Sequence, residues 1–151
     1  MTSITCGGFF DPRRRQCAHL RVPGGSPFHG PCRAWLAAVV TGDARFGVSP
    51  LALSALARIT TDRRIFVEPS SIEEAFGFCD DILNQPHCEI IEPGERHWWI
   101  FKRLCDETRI RGRGIRDVWY AALAIEHGCV WITYDRGFAR FPELAWREPT
   151  G

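Results

Sequence analysis

The chain has 151 residues, 45% of them hydrophobic and 25% charged, with a net charge of +1. These values suit one ordinary globular domain with a real core. They exclude a protein that holds nucleic acid by bulk charge, so any such role must rest on local patches.

The predicted elements follow in chain order. Residues 1–27 stand apart as a divergent, irregular N-terminal segment, holding Gly7-Gly8, Arg13-Arg14-Arg15 and Gly24-Gly25 without a sustained period. From Phe28 the pattern becomes orderly. Pro31 to Val40 reads as an amphipathic helix with Ala34, Trp35 and Ala38 on one face. Arg45 to Ser49 reads as a strand, and Pro50 opens a helix to about Thr60. Ile65-Phe66-Val67 is a short apolar link. Ser70/Glu73 or Ser71/Glu74 forms a capping box for a helix running to about Asn84, before Pro86. Cys88 to Ile91 is a strand. Glu95 to about Thr108 is a helix with Trp98, Phe101, Leu104 and Cys105 at core spacing; Trp98 is assigned to the core, and Trp99 suits either a core or an interface. A basic loop, Arg109 to Arg116, leads into a helix from Asp117, with Val118, Ala121, Ala122 and Ile125 on one face and a stop at Gly128. Cys129 to Thr133 is an apolar, β-branched strand, and Asp135 to Phe138 is a turn. A last short strand falls within Arg140 to Trp146. Helices alternating with short apolar strands define an α/β fold around a parallel sheet.

The seven cysteines (6, 17, 32, 79, 88, 105, 129) are odd in number and scattered without a Cys-x-x-Cys pair. That predicts no disulfide framework and a cytoplasmic setting. His87-Cys88 lacks a second pair at zinc-ligand spacing. No apolar run reaches membrane-spanning length, and no secretory signal is visible at the N-terminus.

The chemistry concentrates between Asp117 and Asp135. A helix of roughly ten residues is about 15 Å long, and a strand of about six is about 20 Å. The helix runs down and the strand runs back, so both acids return to one edge of the sheet. That edge lies beyond the carboxyl ends of the strands, where open α/β sheets bind ligands. Two acids there suit a hard divalent cation such as Mg²⁺. Each also has a plainer role, Asp117 as a helix cap and Asp135 as a turn former. Arg111, Arg113 and Arg116 stand beside them in a basic loop; such charge runs are often just solvated. A nucleotide-binding protein lacks support, because the sequence holds no phosphate loop of the G-x-x-x-x-G-K-[ST] kind.

Several motifs in order carry a resemblance: Ser49-Pro-Leu-x-Leu-Ser54-x-Leu-x-Arg58-Ile-Thr, Pro93-Gly-Glu-Arg-His-Trp98, Asp117-x-x-x-Ala-Ala-Leu-Ala-x-Glu-His-Gly, and Ile132-Thr-x-Asp135-x-x-Phe138-x-Arg-Phe-Pro. Over residues 28–149 the chain resembles the PIN-domain ribonucleases, and closely the VapC-type toxins of toxin–antitoxin pairs. The resemblance implies a PIN-like three-layer α/β/α sandwich around a parallel sheet. It implies a metal-dependent endoribonuclease that cleaves single-stranded RNA with Mg²⁺ or Mn²⁺. Asp117 and Asp135 would be its metal-site carboxylates, and Arg111, Arg113 and Arg116 would hold RNA phosphates unless they are a plain solvated loop. A cognate antitoxin protein would be its partner, with a homodimer as a frequent assembly.

The chain also departs from the family. The family opens with a buried strand ending in Asp-x-Asn, whose first Asp binds metal; here Asp11 precedes Pro12 and an arginine run, and the role is not carried onto it. The first strand is therefore expected to be absent or irregular. Another acid common in the family falls in the segment of Ser54, which has no charge to offer. These losses support a second reading, a catalytically inactive toxin that only binds its antitoxin.

The codons permitted for Arg13 to Pro23, read from the second base, run GNC-GNC-GNC-ART-GYG-CNC-AYC-TNC-GNG-TNC. They allow Val-Asp-Ala-Asn-(Val/Ala)-Leu-Ile-(Phe/Tyr)-Ala-(Phe/Tyr), the missing strand with its Asp-x-Asn. The expected outcome of sequencing the start of the gene is that this offset frame spells that peptide. Codons that encode something else there would end the frameshift explanation.

Overall fold

The computed structural model describes residues 5–7, 37–38, 41–133 and 135–148. Strand β1 spans Thr5–Gly7, β2 Phe46–Val48, β3 Cys88–Ile90, β4 Val130–Ile132 and β5 Trp146–Arg147. Helix α1 spans Pro50–Thr60, α2 Ile72–Leu83, α3 His97–Thr108 and α4 Ile115–Glu126. The strand order is β3-β2-β1-β4-β5, with every pairing parallel.

A parallel sheet needs cover on both faces, and the side chains of β4 show how it is met. Trp131 faces one layer, packing with α4 and with Leu104 of α3. Its neighbours Val130 and Ile132 face the other, with Phe46 and Val48 of β2 and Ile82 of α2. Helix α1 joins α2 through Ala55, Leu56, Ile59 and Cys79. The result is the expected α/β/α sandwich.

Local chemistry sets the helix ends. Proline opens α1, where its missing N–H costs nothing. The capping box of α2 is Ser71/Glu74: Ser71 Oγ accepts from Glu74 N at 3.1 Å, and Glu74 Oε2 accepts from Ser71 N at 3.0 Å. Helix α4 ends at Gly128, whose φ of +62° suits glycine.

The structure differs from the expectations at three places. The first strand is present: Thr5–Gly7 lies between β2 and β4, with Thr5 opposite both Phe46 and Val130. Without it the facing edges of β2 and β4 would lack backbone partners, and a short stretch with a β-branched residue fills the gap. Residues 13–23 and Asp11 lie outside the described residues, as does most of the helix expected over Pro31 to Val40; Ala37, Ala38 and the neighbouring Thr41 are helical. Trp98 is not core but 54% exposed, whereas His97 is buried to 1%. The inward stripe is His97, Phe101 and Leu104, and burial of the imidazole is offset because its Nε2 donates to the Trp119 carbonyl at 3.1 Å. Trp99 is exposed, with the Lys102 ammonium 5.4 Å from its ring centre. Finally, Cys129 is disulfide-bonded, although Cys79, Cys88 and Cys105 are free. No helix among the described residues is long and apolar enough to cross a membrane.

Helices α3 and α4 are latched end to end by Glu126. Its Oε2 accepts from Gly94 N at 2.8 Å and its Oε1 from Arg96 N at 2.9 Å, while Arg96 Nη2 donates to the Glu126 carbonyl at 2.9 Å. Burial pushes the Glu126 carboxyl up, but these N–H donors and the neighbouring histidines outweigh it and hold it below its ordinary value. A lowered folded value means the contribution is complete above the unfolded value of about 4.3 and is lost as pH falls through the folded value. Glu126→Gln is expected to cost about 1 kcal/mol at neutral pH. In thermal melts the difference from wild type should shrink toward about pH 3.

Candidate active site

The order of the strands creates the site. The chain lays β1, β2 and β3 outward in one direction, then crosses back over β1 to place β4 and β5 on its other side. The crevice at the carboxyl ends of β1 and β4 is therefore the switch point, where open parallel sheets take ligands. Asp117 sits in the first turn of α4, which the reversal at Gly128 turns back into β4. Asp135 follows β4 and caps a 3-10 helix, Arg136–Arg140. Both acids are buried, at 5% and 9% exposure.

Buried carboxylates require partners. Arg140, the last residue of the helix that Asp135 caps, donates from Nη2 to Asp117 Oδ2 at 2.7 Å. One short helix thus ties the two acids together. Asp135 Oδ1 accepts from Gly137 N at 2.7 Å, and a Cβ at Gly137 would come within 2.8 Å of that oxygen. Glycine at 137 is what lets the backbone approach so closely. The buried Thr133 fixes the chain from behind, its Oγ1 accepting from Asp135 N at 3.0 Å. Among the described residues no hydrogen bond reaches Asp135 Oδ2.

The basic loop lies at the same edge, because α4 starts where it ends. Arg109 adopts the left-handed conformation at the end of α3, with φ 54°, and swings the chain out. Arg111, Arg113 and Arg116 are all exposed, flanking the 3-10 turn Gly112–Gly114. Tyr120, one turn along α4, senses the same charges: burial, with Asp117, pushes its phenol up to about 12, against an opposing pull from Arg116. Its hydroxyl stays protonated at physiological pH.

The oxygen donors fit a divalent cation in kind. Mg²⁺ prefers oxygen, keeps several waters, and is often held by one or two carboxylates with substrate phosphates completing its shell. Among the described residues there is no cluster of three or more His, Cys, Asp or Glu with metal-binding geometry. Strand β1 is Thr-Cys-Gly in sequence and holds no acid. Ser54 lies on the exposed side of α1.

Known proteins resemble this chain in sequence and in fold. The family model described as PIN domain matches residues 18–144. The chain is 37% identical over 121 residues to ribonuclease VapC43 of Mycobacterium tuberculosis, covering 80% of this chain and 82% of that one. It is 37% identical over 126 residues to ribonuclease VapC25 of the same organism, covering 83% and 89%. The crystal structure of VapBC2 from Rickettsia felis, bound to a DNA fragment from their promoter, superposes with a TM-score of 0.59 at 19% identity, over 79% of this chain and 85% of that one. The VapBC-1 structure from nontypeable Haemophilus influenzae gives 0.57 at 15% identity, over 76% and 82%. The chain belongs to the PIN-domain family, and within it to the VapC-type ribonucleases.

Sequence reasoning places the two acids and the three loop arginines, but misses Arg140 and Thr133. Both lie inside the motif around Asp135. Their interactions depend on how the short helix folds back, and spacing alone does not show that. Thr133→Val would keep the shape but leave the Asp135 N–H unpaired. The expected cost is about 1–3 kcal/mol in urea denaturation. Thr133→Ser, which keeps the hydroxyl, should recover most of it.

Proposed function

We propose that residues 28–149 form a metal-dependent endoribonuclease that cleaves single-stranded RNA as the toxin of a cytoplasmic toxin–antitoxin pair. The observation that carries this reading is the pair of buried carboxylates, Asp117 and Asp135, at the switch-point crevice beside a row of exposed arginines.

Asp117 and Asp135 would hold Mg²⁺ or Mn²⁺ through their oxygens. When bound, such a cation supplies Lewis acidity toward the phosphate and a more acidic water at neutral pH. The chain's own residues do the rest. Thr133 and Gly137 fix the rotamer and position of Asp135, so its outer oxygen is preorganised. Arg111, Arg113 and Arg116 draw the RNA backbone to the edge and neutralise phosphates without reading sequence. Tyr120, kept neutral, adds no negative charge beside Asp117. A protein antitoxin is the partner in this reading, and a homodimer its assembly.

A second reading is favoured by one feature of the site: the described residues supply two acids there and no third. A toxin so depleted would keep its antitoxin-binding surface but lose cleavage.

A ribonuclease assay with Mg²⁺ or Mn²⁺ on single-stranded RNA separates the two. Changing outer residues around a metal site typically costs about 10–100-fold, so Asp117→Asn, which alters a direct ligand, should lower cleavage by about a hundredfold or more. Wild-type protein without metal-dependent cleavage, yet still bound by its antitoxin, would leave the second reading standing. Replacing Arg111, Arg113 and Arg116 together by Gln should weaken RNA binding. It should also flatten the salt dependence, by about 0.7 in log–log slope for each phosphate that is no longer neutralised.

A further inference from the structure

We propose that Arg140 is a built-in competitor for the cation at Asp117 and, once displaced, a phosphate-binding residue for the RNA. This rests on the ribonuclease reading and deepens it.

Asp117 has a side chain only 8% exposed, so its charge needs an opposite charge nearby. The Arg140 guanidinium provides one at 2.7 Å. A divalent cation bound at Asp117 would bring a second positive centre against that guanidinium, and the two would repel. Cation and arginine therefore share one carboxylate, and binding of one weakens the other.

The displaced side chain has somewhere to go. Arg140 is 32% exposed, and its guanidinium carbon lies 5.2 Å from the centre of the Phe141 ring. The ring offers a surface on which the guanidinium stays favourably placed as it turns. Among the described residues the guanidinium makes its hydrogen bond through Nη2 to Asp117, leaving Nε and Nη1 for another acceptor. A planar fork of N–H donors matches a phosphate. Arg111, Arg113 and Arg116 sit on an exposed loop, whereas Arg140 is anchored to the helix that Asp135 caps. Its guanidinium already lies against Asp117, so the phosphate it would take is one beside that carboxylate rather than the flanking backbone.

Isothermal titration of Mn²⁺ into the full chain tests the competition, using wild type, Arg140→Gln, Arg140→Lys and Asp117→Asn. Arg140→Gln is expected to bind Mn²⁺ about tenfold tighter, within the usual range for two ligands coupled through one site. Its affinity for a non-cleavable single-stranded oligonucleotide, measured with Mn²⁺ present, should fall. A clamp with a purely structural role would give the opposite first result, so Mn²⁺ binding that is unchanged or weaker in Arg140→Gln overturns the proposal. Should that variant not fold, Arg140→Lys carries the test: its ammonium pairs less well with a carboxylate than the fork does, and Mn²⁺ affinity no higher than wild type overturns the proposal. Wild type that binds no Mn²⁺, or Asp117→Asn that binds it equally well, overturns both this proposal and the metal assignment beneath it. Normal wild-type binding that disappears in Asp117→Asn, with no gain in the Arg140 variants, overturns the competition alone.

Discussion

Helix α4 and strand β4 lie against each other in opposite directions, and that one reversal governs the molecule. The helix is the most buried of those described, with Val118, Ala121 and Ala122 at 0% exposure. Its small residues let it lie close over the sheet, and Trp131 fills the space between them. Because the packing leaves α4 no freedom to slide, the first turn of the helix and the end of the strand arrive at a fixed separation. The relative placement of the two acids thus rests on alanines and a tryptophan at some remove from either carboxylate.

Holding acids there has an electrostatic cost, and the 3-10 helix after β4 offsets it. Five residues supply an N–H to Asp135, a glycine that permits the approach, and a guanidinium for Asp117. Each interaction is charge-assisted, so each is stronger than a neutral hydrogen bond in the same place. The stability of both buried charges thus rests on a single short element.

Much of this is legible in the chain. Pro50, the Ser71/Glu74 box and Gly128 mark helix ends by mechanisms that act within a turn, and the structure keeps them. The edge shared by Asp117 and Asp135 follows from element lengths. What escapes a sequence reading depends on groups distant along the chain. The inward face of α3 falls one residue off because tryptophan looks like core and histidine does not, until Trp119 provides a carbonyl for His97 from another helix. Arg140 lies 23 residues from Asp117, and nothing in local spacing pairs them. Strand β1 escapes for a related reason. Three residues carry too little pattern to announce a strand, and it is the sheet on either side that requires one.

That central strand sharpens the question of the missing acid. Strand β1 is flanked by β2 and β4, and its Gly7 lies in register with Ile132, the last residue of β4. In the sequence Gly7 is followed by Gly8, and neither can ligate through a side chain. The peptide permitted by the offset codons of residues 13–23 is an apolar run around Asp-x-Asn, which is the composition a strand buried on both faces would need. Topology and codon degeneracy are independent of each other. Topology says where an acid is wanted, and the codons say that one can be encoded nearby. Two carboxylates and substrate phosphates can hold Mg²⁺; a carboxylate at the end of the central strand would add a ligand charge that the glycine there does not supply.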